Sequence, residues 1–178
     1  MKVICFALSA ALFASQASAF ELTSPEVAEG QTLAVTQVYS GFGCSGDNLS
    51  PALHWSAAPE GTRSFAMTVY DPDAPTGSGW WHWLAYDIPA SADGLPQGAG
   101  PQASLPEGVK QGRNDYGERN FGGACPPPGD KPHRYIFAVY ALKVDKLDVP
   151  DDASAALIGF MVRANSLGSA TLTAHYGR

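Results

Sequence analysis

Glycine and proline recur through almost the whole chain and divide it into short segments. There are 19 Gly and 14 Pro among 178 residues, and β-branched and aromatic residues cluster in the runs between them. Short runs of this kind, bounded by turn residues, are typical of strands. We predict strands at 32–39, 64–71, 80–88, 134–144 and 169–176. The sequence therefore predicts a mainly β domain.

Two segments depart from this pattern. In residues 151–166, acidic and serine residues come first, and Leu157, Met161 and Ala164 follow at helical spacing, which predicts a helix. Residues 90–133 have no clear period and are rich in Gly, Pro and Asn, so we expect them to be largely loop. The expected architecture is a β-sandwich or related β fold with a late helix packed against it.

The first residues indicate export. An apolar run follows Met1 and Lys2 and ends in small residues at Ala17 and Ala19, which predicts a signal peptide over residues 1–19. The run has about a dozen residues, whereas a membrane-spanning helix needs about 20. We expect residues 20–178 to form a single soluble domain with no membrane span, periplasmic or secreted.

The charge balance excludes some partners. Asp and Glu number 17 against 11 Lys and Arg, giving a formal net charge of −6. Nucleic acid and anionic lipid surfaces are therefore poor candidates.

The cysteines carry information about redox state. Cys5 lies in the predicted signal peptide, so Cys44 and Cys125 remain as a pair in an oxidising compartment and are expected to form a disulfide. The alternatives are two unrelated buried thiols, or a structural zinc site, which the absence of a CxxC motif disfavours.

Titratable and aromatic side chains concentrate in residues 71–83, DPDAPTGSGWWHW. Asp71 or Asp73 could hold His82 in one tautomer or keep it protonated, because a nearby carboxylate favours the imidazolium. Backbone N–H groups of residues 122–129 could line a concavity that accepts an oxyanion. Composition alone favours the alternative that the tryptophans are ordinary core and that Asp-Pro-Asp is only a turn.

The remaining histidines and the search for catalytic motifs provide little evidence for metal binding or catalysis. His133 opens the predicted strand at 134–144, whereas His54 is expected to be structural and His175 to lie at a surface or strand edge. Two His and two Asp are an acceptable zinc ligand set, but no HxH, HxxxH or HExxH spacing supports a metal. No GxSxG motif or free cysteine indicates a nucleophile. We expect neither a metal nor a cofactor.

Four blocks of sequence, in this order, resemble the phosphatidylethanolamine-binding protein family, also called the Raf kinase inhibitor protein family, and in particular its bacterial branch. The most specific are the DPDAP block with a histidine in the following strand, and the proline-rich block that ends in HRY. The blocks are DNLSPALHW (47–55), DPDAP with WWHW (71–83), GRND (112–115) and GGACPPPGDKPHRYIFAVYAL (122–142).

The resemblance implies a β-sandwich of a large and a small antiparallel sheet with a C-terminal helix. It also implies a small pocket for anions, phosphate-like groups and phosphorylethanolamine head groups, with Trp80 and Asp73 supporting the wall and the turn. The residues implied to line the pocket or its rim are Asp71, His82, Gly123, Cys125, Pro127, His133 and Tyr135.

This chain departs from the resemblance in two ways. Cys125 stands where eukaryotic relatives commonly have glycine, so a bond to Cys44 is expected to tie two pocket loops together. An exported protein also does not meet a cytosolic kinase of its own cell, so kinase inhibition is not carried over.

The leading hypothesis is an exported protein that binds a small anionic or phosphate-bearing ligand without turnover. Asp71 is then expected to support a histidine whose imidazolium attracts the anion, so that affinity falls as pH rises past the pKa of that histidine. One alternative is an enzyme that uses His82 or His133 as general acid or base. Another is a secreted inhibitor or host-interaction protein that acts through its outer surface.

Overall fold

The computed structural model describes residues 19–178, so all of the predicted signal peptide except Ala19 lies outside the described residues. Over the described residues the fold is mainly β with one α-helix. Five antiparallel strands form the large sheet in the order β10-β9-β5-β6-β8, three form the small sheet in the order β1-β4-β7, and β2 pairs with β3. The strands are β1 (Glu21–Thr23), β2 (Ser40–Gly41), β3 (Cys44–Ser45), β4 (Leu53–Ser56), β5 (Ser64–Asp71), β6 (Trp80–Pro89), β7 (Gly94–Leu95), β8 (Lys110–Gln111), β9 (His133–Leu142) and β10 (Ser166–Tyr176).

The large sheet is covered on both faces, which explains why its central strands are almost continuously apolar. Because side chains alternate along a strand, Phe65, Met67 and Val69 of β5 face the small sheet in one core, which also contains Trp55. Ala66 faces the opposite side, in a second core with the helix. The predicted sandwich of a large and a small sheet with a C-terminal helix is confirmed.

The helix α1 (Ala155–Asn165) packs across the large sheet. It begins later than the predicted segment 151–166, because Ser154 is its N-cap and accepts a hydrogen bond from the amide of Leu157. Gly159 faces Trp81 of β6, and a Cβ there would lie 2.8 Å from the indole ring. The glycine therefore allows the helix to approach the sheet closely. No helix within residues 19–178 is long and apolar enough to span a membrane.

Four of the five predicted strands match strands of the large sheet, and the fifth prediction, at residues 32–39, is wrong. Residues Val35–Gln37 form a 3-10 helix. The backbone around it bonds to the following loop, since the amide of Asn48 donates to Val38 O at 2.9 Å and that of Leu49 to Thr36 O at 2.9 Å. Side-chain composition favoured a strand here, but the segment forms only isolated parallel bridges, from Thr32 to His175 of β10 and from Val38 to Ala124, and no continuous ladder.

Strand order brings the predicted site residues to one end of the large sheet. β5 ends at Asp71, and its two neighbours β6 and β9 begin at Trp80 and His133. Because both neighbours run antiparallel to β5, their first residues lie beside its last. The loop before β9, within the predicted loop region 90–133, closes over this end.

Candidate ligand-binding site

A cavity of about 190 Å³ opens at this end of the large sheet. Its volume is below the several hundred cubic ångströms that drug-sized ligands occupy, so it suits a small group. The predicted site residues that line it are Asp71, Trp80, His82, Cys125, Pro127, His133 and Tyr135.

Asp71 is buried and uses both carboxylate oxygens within the protein. Its Oδ1 accepts hydrogen bonds from the amides of Asp73 at 2.8 Å and Ala74 at 3.1 Å, which fixes the turn after β5. Its Oδ2 lies 2.7 Å from Nδ1 of His133. The carboxylate therefore orients His133, whereas the sequence led us to expect that it holds His82.

His82 is held by backbone carbonyls instead. Its Nδ1 lies 2.8 Å from the oxygen of Gly122 and 3.1 Å from that of Gly123. Carbonyl oxygens only accept hydrogen bonds, so Nδ1 carries the proton and Nε2 presents a lone pair. Burial lowers the pKa of His82 to about 4, although the two carbonyls and Asp71 act in the opposite direction. Burial therefore favours a neutral ring at pH 7, whereas the sequence suggested that a nearby carboxylate either keeps His82 protonated or holds it in one tautomer.

Three side chains of the cavity wall have buried polar atoms without a hydrogen-bond partner anywhere in residues 19–178. They are Nε1 of Trp80, Nε2 of His82 and Oη of Tyr135. Burial, followed by the charge of Asp71, raises the pKa of Tyr135, so its hydroxyl stays protonated. The side chains of the cavity wall therefore include an N–H donor, an O–H group and an acceptor lone pair that have no partner within the described residues.

Gly123 and Asp73 support the cavity from outside it. Gly123 lies behind His82 rather than on the lining, and a Cβ there would lie 2.4 Å from the carbonyl oxygen of Gln37. Asp73 forms a bidentate ion pair with Arg134 at 2.7 and 2.9 Å. Hydrogen bonding to this guanidinium lowers the pKa of Asp73 to about 2. This ion pair connects the turn after β5, which contains Asp73, to strand β9, which contains Arg134.

The structure contains the expected disulfide between Cys44 and Cys125, with Cα atoms 6.0 Å apart. It joins β3 to the loop whose residues Cys125 and Pro127 line the cavity. One wall of the cavity is therefore covalently connected to the β2–β3 hairpin.

Comparisons with known proteins agree with this architecture. The sequence model of the family described as phosphatidylethanolamine-binding protein matches residues 23–177. The chain belongs to the phosphatidylethanolamine-binding protein family. The resemblance found in the sequence is thus confirmed.

Two bacterial relatives show how close the similarity is. The chain is 53% identical to the UPF0098 protein YbcL of Escherichia coli (strain K12), over 98% of this chain and 96% of YbcL. It is 48% identical to YbhB of the same organism, over 88% of this chain and 99% of YbhB. The crystal structure of E. coli YbcL, described as a new member of the mammalian PEBP family, superimposes with a TM-score of 0.87 at 55% identity, covering 89% of this chain and 98% of that one.

Sequence reasoning missed two aromatic residues of this family member's cavity, Phe42 and Tyr116. Tyr116 donates a hydrogen bond from its hydroxyl to the carbonyl of Gly123 at 3.0 Å. Its position directly after the GRND block was the available signal. Phe42 stands between two glycines and two residues before Cys44, and only that proximity to the disulfide pointed to it.

The other histidines lie away from the cavity lining. His54 is exposed on β4, and His175 is half-buried on β10. Within residues 19–178 no group of three or more His, Cys, Asp or Glu side chains is arranged to hold a metal ion.

Proposed function

We propose that this member of the family is an exported protein that binds a small phosphate-bearing ligand in the cavity, without chemical turnover. The observation that carries the proposal is that three side chains of the cavity wall, Trp80, His82 and Tyr135, each have a buried polar atom with no hydrogen-bond partner among residues 19–178. An unsatisfied buried polar group costs about 1–3 kcal/mol. A ligand that supplies partners to these atoms recovers part of that cost.

The charge state of His82 defines the ligand more closely. Neutral Nε2 accepts a hydrogen bond, so the ligand must donate one there, while Trp80 and Tyr135 offer donors to ligand oxygens. A phosphate monoester with one proton carries both a P–OH donor and P–O acceptors, and its second pKa is about 6. We therefore assign the cavity to a singly protonated phosphoryl group. In this assignment the protein recognises the phosphoryl group by hydrogen bonds, whereas the sequence analysis expected the charge of an imidazolium to attract it.

Absence of turnover is supported by the state of the candidate catalytic groups. A histidine with a pKa of about 4 is a weak general base at neutral pH. Both ring nitrogens of His133 lie near carboxylates: Nδ1 is 2.7 Å from Oδ2 of Asp71, and Nε2 is 3.5 Å from Oδ2 of Asp130. Cys125 is in a disulfide and offers no thiolate. Methyl phosphate incubated with the protein should be recovered intact by ³¹P NMR, and release of inorganic phosphate that His82→Ala abolishes would contradict the proposal.

Binding is tested by titrating methyl phosphate into the protein at pH 6 by isothermal calorimetry. Tyr135→Phe removes one hydroxyl from the cavity, and we expect affinity to fall about tenfold, as the loss of one hydrogen bond to a charged group predicts. Tyr140→Phe is the matched control, because Tyr140 lies on the same strand but packs in the second core, against the helix.

A second control concerns the ligand. Dimethyl phosphate has the same negative charge as protonated methyl phosphate but no P–OH, so it should bind at least about tenfold more weakly. Equal affinity of both esters, or no effect of Tyr135→Phe, would defeat the assignment.

A further inference from the structure

Phe42 is the most exposed large apolar side chain of residues 19–178, and it also lines the cavity. Its relative exposure is 72%, and its ring reaches the mouth of the cavity from the tip of the β2–β3 hairpin. Exposed aromatic surface beside a concave site often marks a place where a ligand or partner binds. Phe42 therefore needs an explanation that the phosphoryl site alone does not provide.

The backbone of Phe42 is held in an unfavourable conformation. Its φ is +52°, in the left-handed region that costs a residue other than glycine about 1–2 kcal/mol. Strain of this kind persists only where the surrounding structure enforces it, and it is concentrated at functional sites.

Several contacts enforce the position of the hairpin tip. The guanidinium of Arg178 donates to the carbonyls of Gly43 at 2.9 Å and Phe42 at 3.3 Å, and also to that of Pro126 at 2.6 Å. The disulfide of Cys44 fixes the other side of the tip to the same cavity loop. Phe42 is thus presented on a fixed support rather than on a free loop.

An aromatic surface connects Phe42 with the interior of the cavity. The ring of Tyr116, which also lines the cavity, lies 5.6 Å from that of Phe42 and is stacked on Tyr39 at 3.9 Å. The ring of Tyr39 lies 6.0 Å from that of Phe42. Pro75 and Pro126 add apolar lining. The cavity is therefore lined by an apolar group of side chains, including Phe42 and Tyr116, in addition to the polar residues Trp80, His82 and Tyr135.

We propose that Phe42 and Tyr116 form a second subsite, which binds an apolar organic group attached to the phosphoryl group in the cavity. The ligand is then a phosphate monoester with an aromatic or compact alkyl substituent rather than inorganic phosphate or a small polar ester. The inference rests on the proposed phosphoryl site and adds the chemical class of the substituent.

The test compares phenyl phosphate with methyl phosphate by calorimetry at pH 6. The two esters share the phosphoryl group, and the phenyl ring removes more apolar surface from water, so wild-type protein should prefer phenyl phosphate by about tenfold. Phe42→Ala should lose the preference, so that it binds phenyl phosphate and methyl phosphate with affinities within about twofold of each other. Phe42→Leu should retain part of it, because leucine keeps apolar contact area.

Phe160→Ala is the matched control, since Phe160 is 64% exposed on α1 and does not line the cavity. It should keep the full preference for phenyl phosphate. Two measurements check that Phe42→Ala is folded: its thermal unfolding midpoint, and the mass of the intact protein, which reports whether the disulfide has formed.

The outcomes separate this inference from the proposed function. A preference for phenyl phosphate that survives Phe42→Ala overturns the subsite, as does equal binding of the two esters by wild-type protein, and both results leave the phosphoryl site standing. Failure of wild-type protein to bind either ester overturns the proposed function and the subsite together.

Discussion

His82 is compatible with the folded state mainly in its neutral form, which makes the protein sensitive to acid. Its folded pKa is about 4, against an ordinary value of 6.5. Between these values the unfolded chain binds more protons than the folded one, so stability falls as pH decreases from 6.5 to 4 and does not depend on this group above 6.5. The shift corresponds to a loss of about 3 kcal/mol.

His82→Asn should remove this sensitivity, because an amide nitrogen can donate to Gly122 O in place of Nδ1 and does not titrate. Urea unfolding of both proteins between pH 4 and 7 measures the difference. Asp73, with its pKa lowered to about 2, loses its contribution only below its ordinary value of 3.8, outside this range. Parallel pH profiles of wild type and variant would show that the pKa of His82 is not depressed.

The individual pairings in the cavity could not be predicted from sequence. Asp71, His82 and His133 were identified as site residues. Which histidine pairs with the carboxylate of Asp71, however, depends on how the strands are arranged next to one another. β5 and β9 are adjacent, so Asp71 reaches His133, while the carbonyl oxygens of Gly122 and Gly123 accept the hydrogen bond from Nδ1 of His82. These contacts span 40 residues or more of chain, beyond what local pattern specifies.

At the scale of elements, the β2–β3 hairpin depends on its disulfide. The bond closes a loop with a sequence separation of 81 residues, and loops of this size are associated with a stabilisation of about 2–5 kcal/mol. The double variant Cys44→Ala, Cys125→Ala should therefore lose stability by that amount in urea unfolding. A loss below about 1 kcal/mol would indicate that the Arg178 contacts alone hold the hairpin.

Long strands were more predictable than short ones. The strand β5 occupies the predicted residues 64–71, because its residues are mainly apolar or β-branched and both of its faces are buried. The short strands β1 and β7 were not predicted, since two or three residues carry no recognisable period. Residues 32–39 have strand-like composition, but they form only isolated bridges, at Thr32 and Val38, on either side of a 3-10 helix.

At the scale of the whole molecule, the family and the sandwich could be predicted, because four sequence blocks spread over most of the chain carried the resemblance. The aromatic residues Phe42 and Tyr116 of the cavity could not be predicted. They lie 74 positions apart in the sequence and come together only through tertiary packing, with ring centroids 5.6 Å apart. The proposed apolar subsite thus lies outside the most recognisable motifs.

Export is a prediction about the whole molecule. It is supported by the composition of residues 1–19 and by the disulfide, since disulfides persist in oxidising compartments. Protein expressed in a bacterium should be recovered from the periplasm, begin at Phe20 by N-terminal sequencing and contain no free thiol by mass spectrometry. Full-length protein in the cytoplasm with Cys44 and Cys125 reduced would contradict export.

The central claim is that neutral His82 offers a lone pair on Nε2 to a protonated phosphoryl group. ¹⁵N NMR of the histidine rings, with and without methyl phosphate at pH 6, tests it at the atom concerned. We expect His82 to carry its proton on Nδ1 in both states, and the Nε2 resonance to shift on binding in the direction of hydrogen-bond acceptance. A His82 that is protonated on both nitrogens, or an Nε2 resonance that does not move at saturating ligand, would contradict the account.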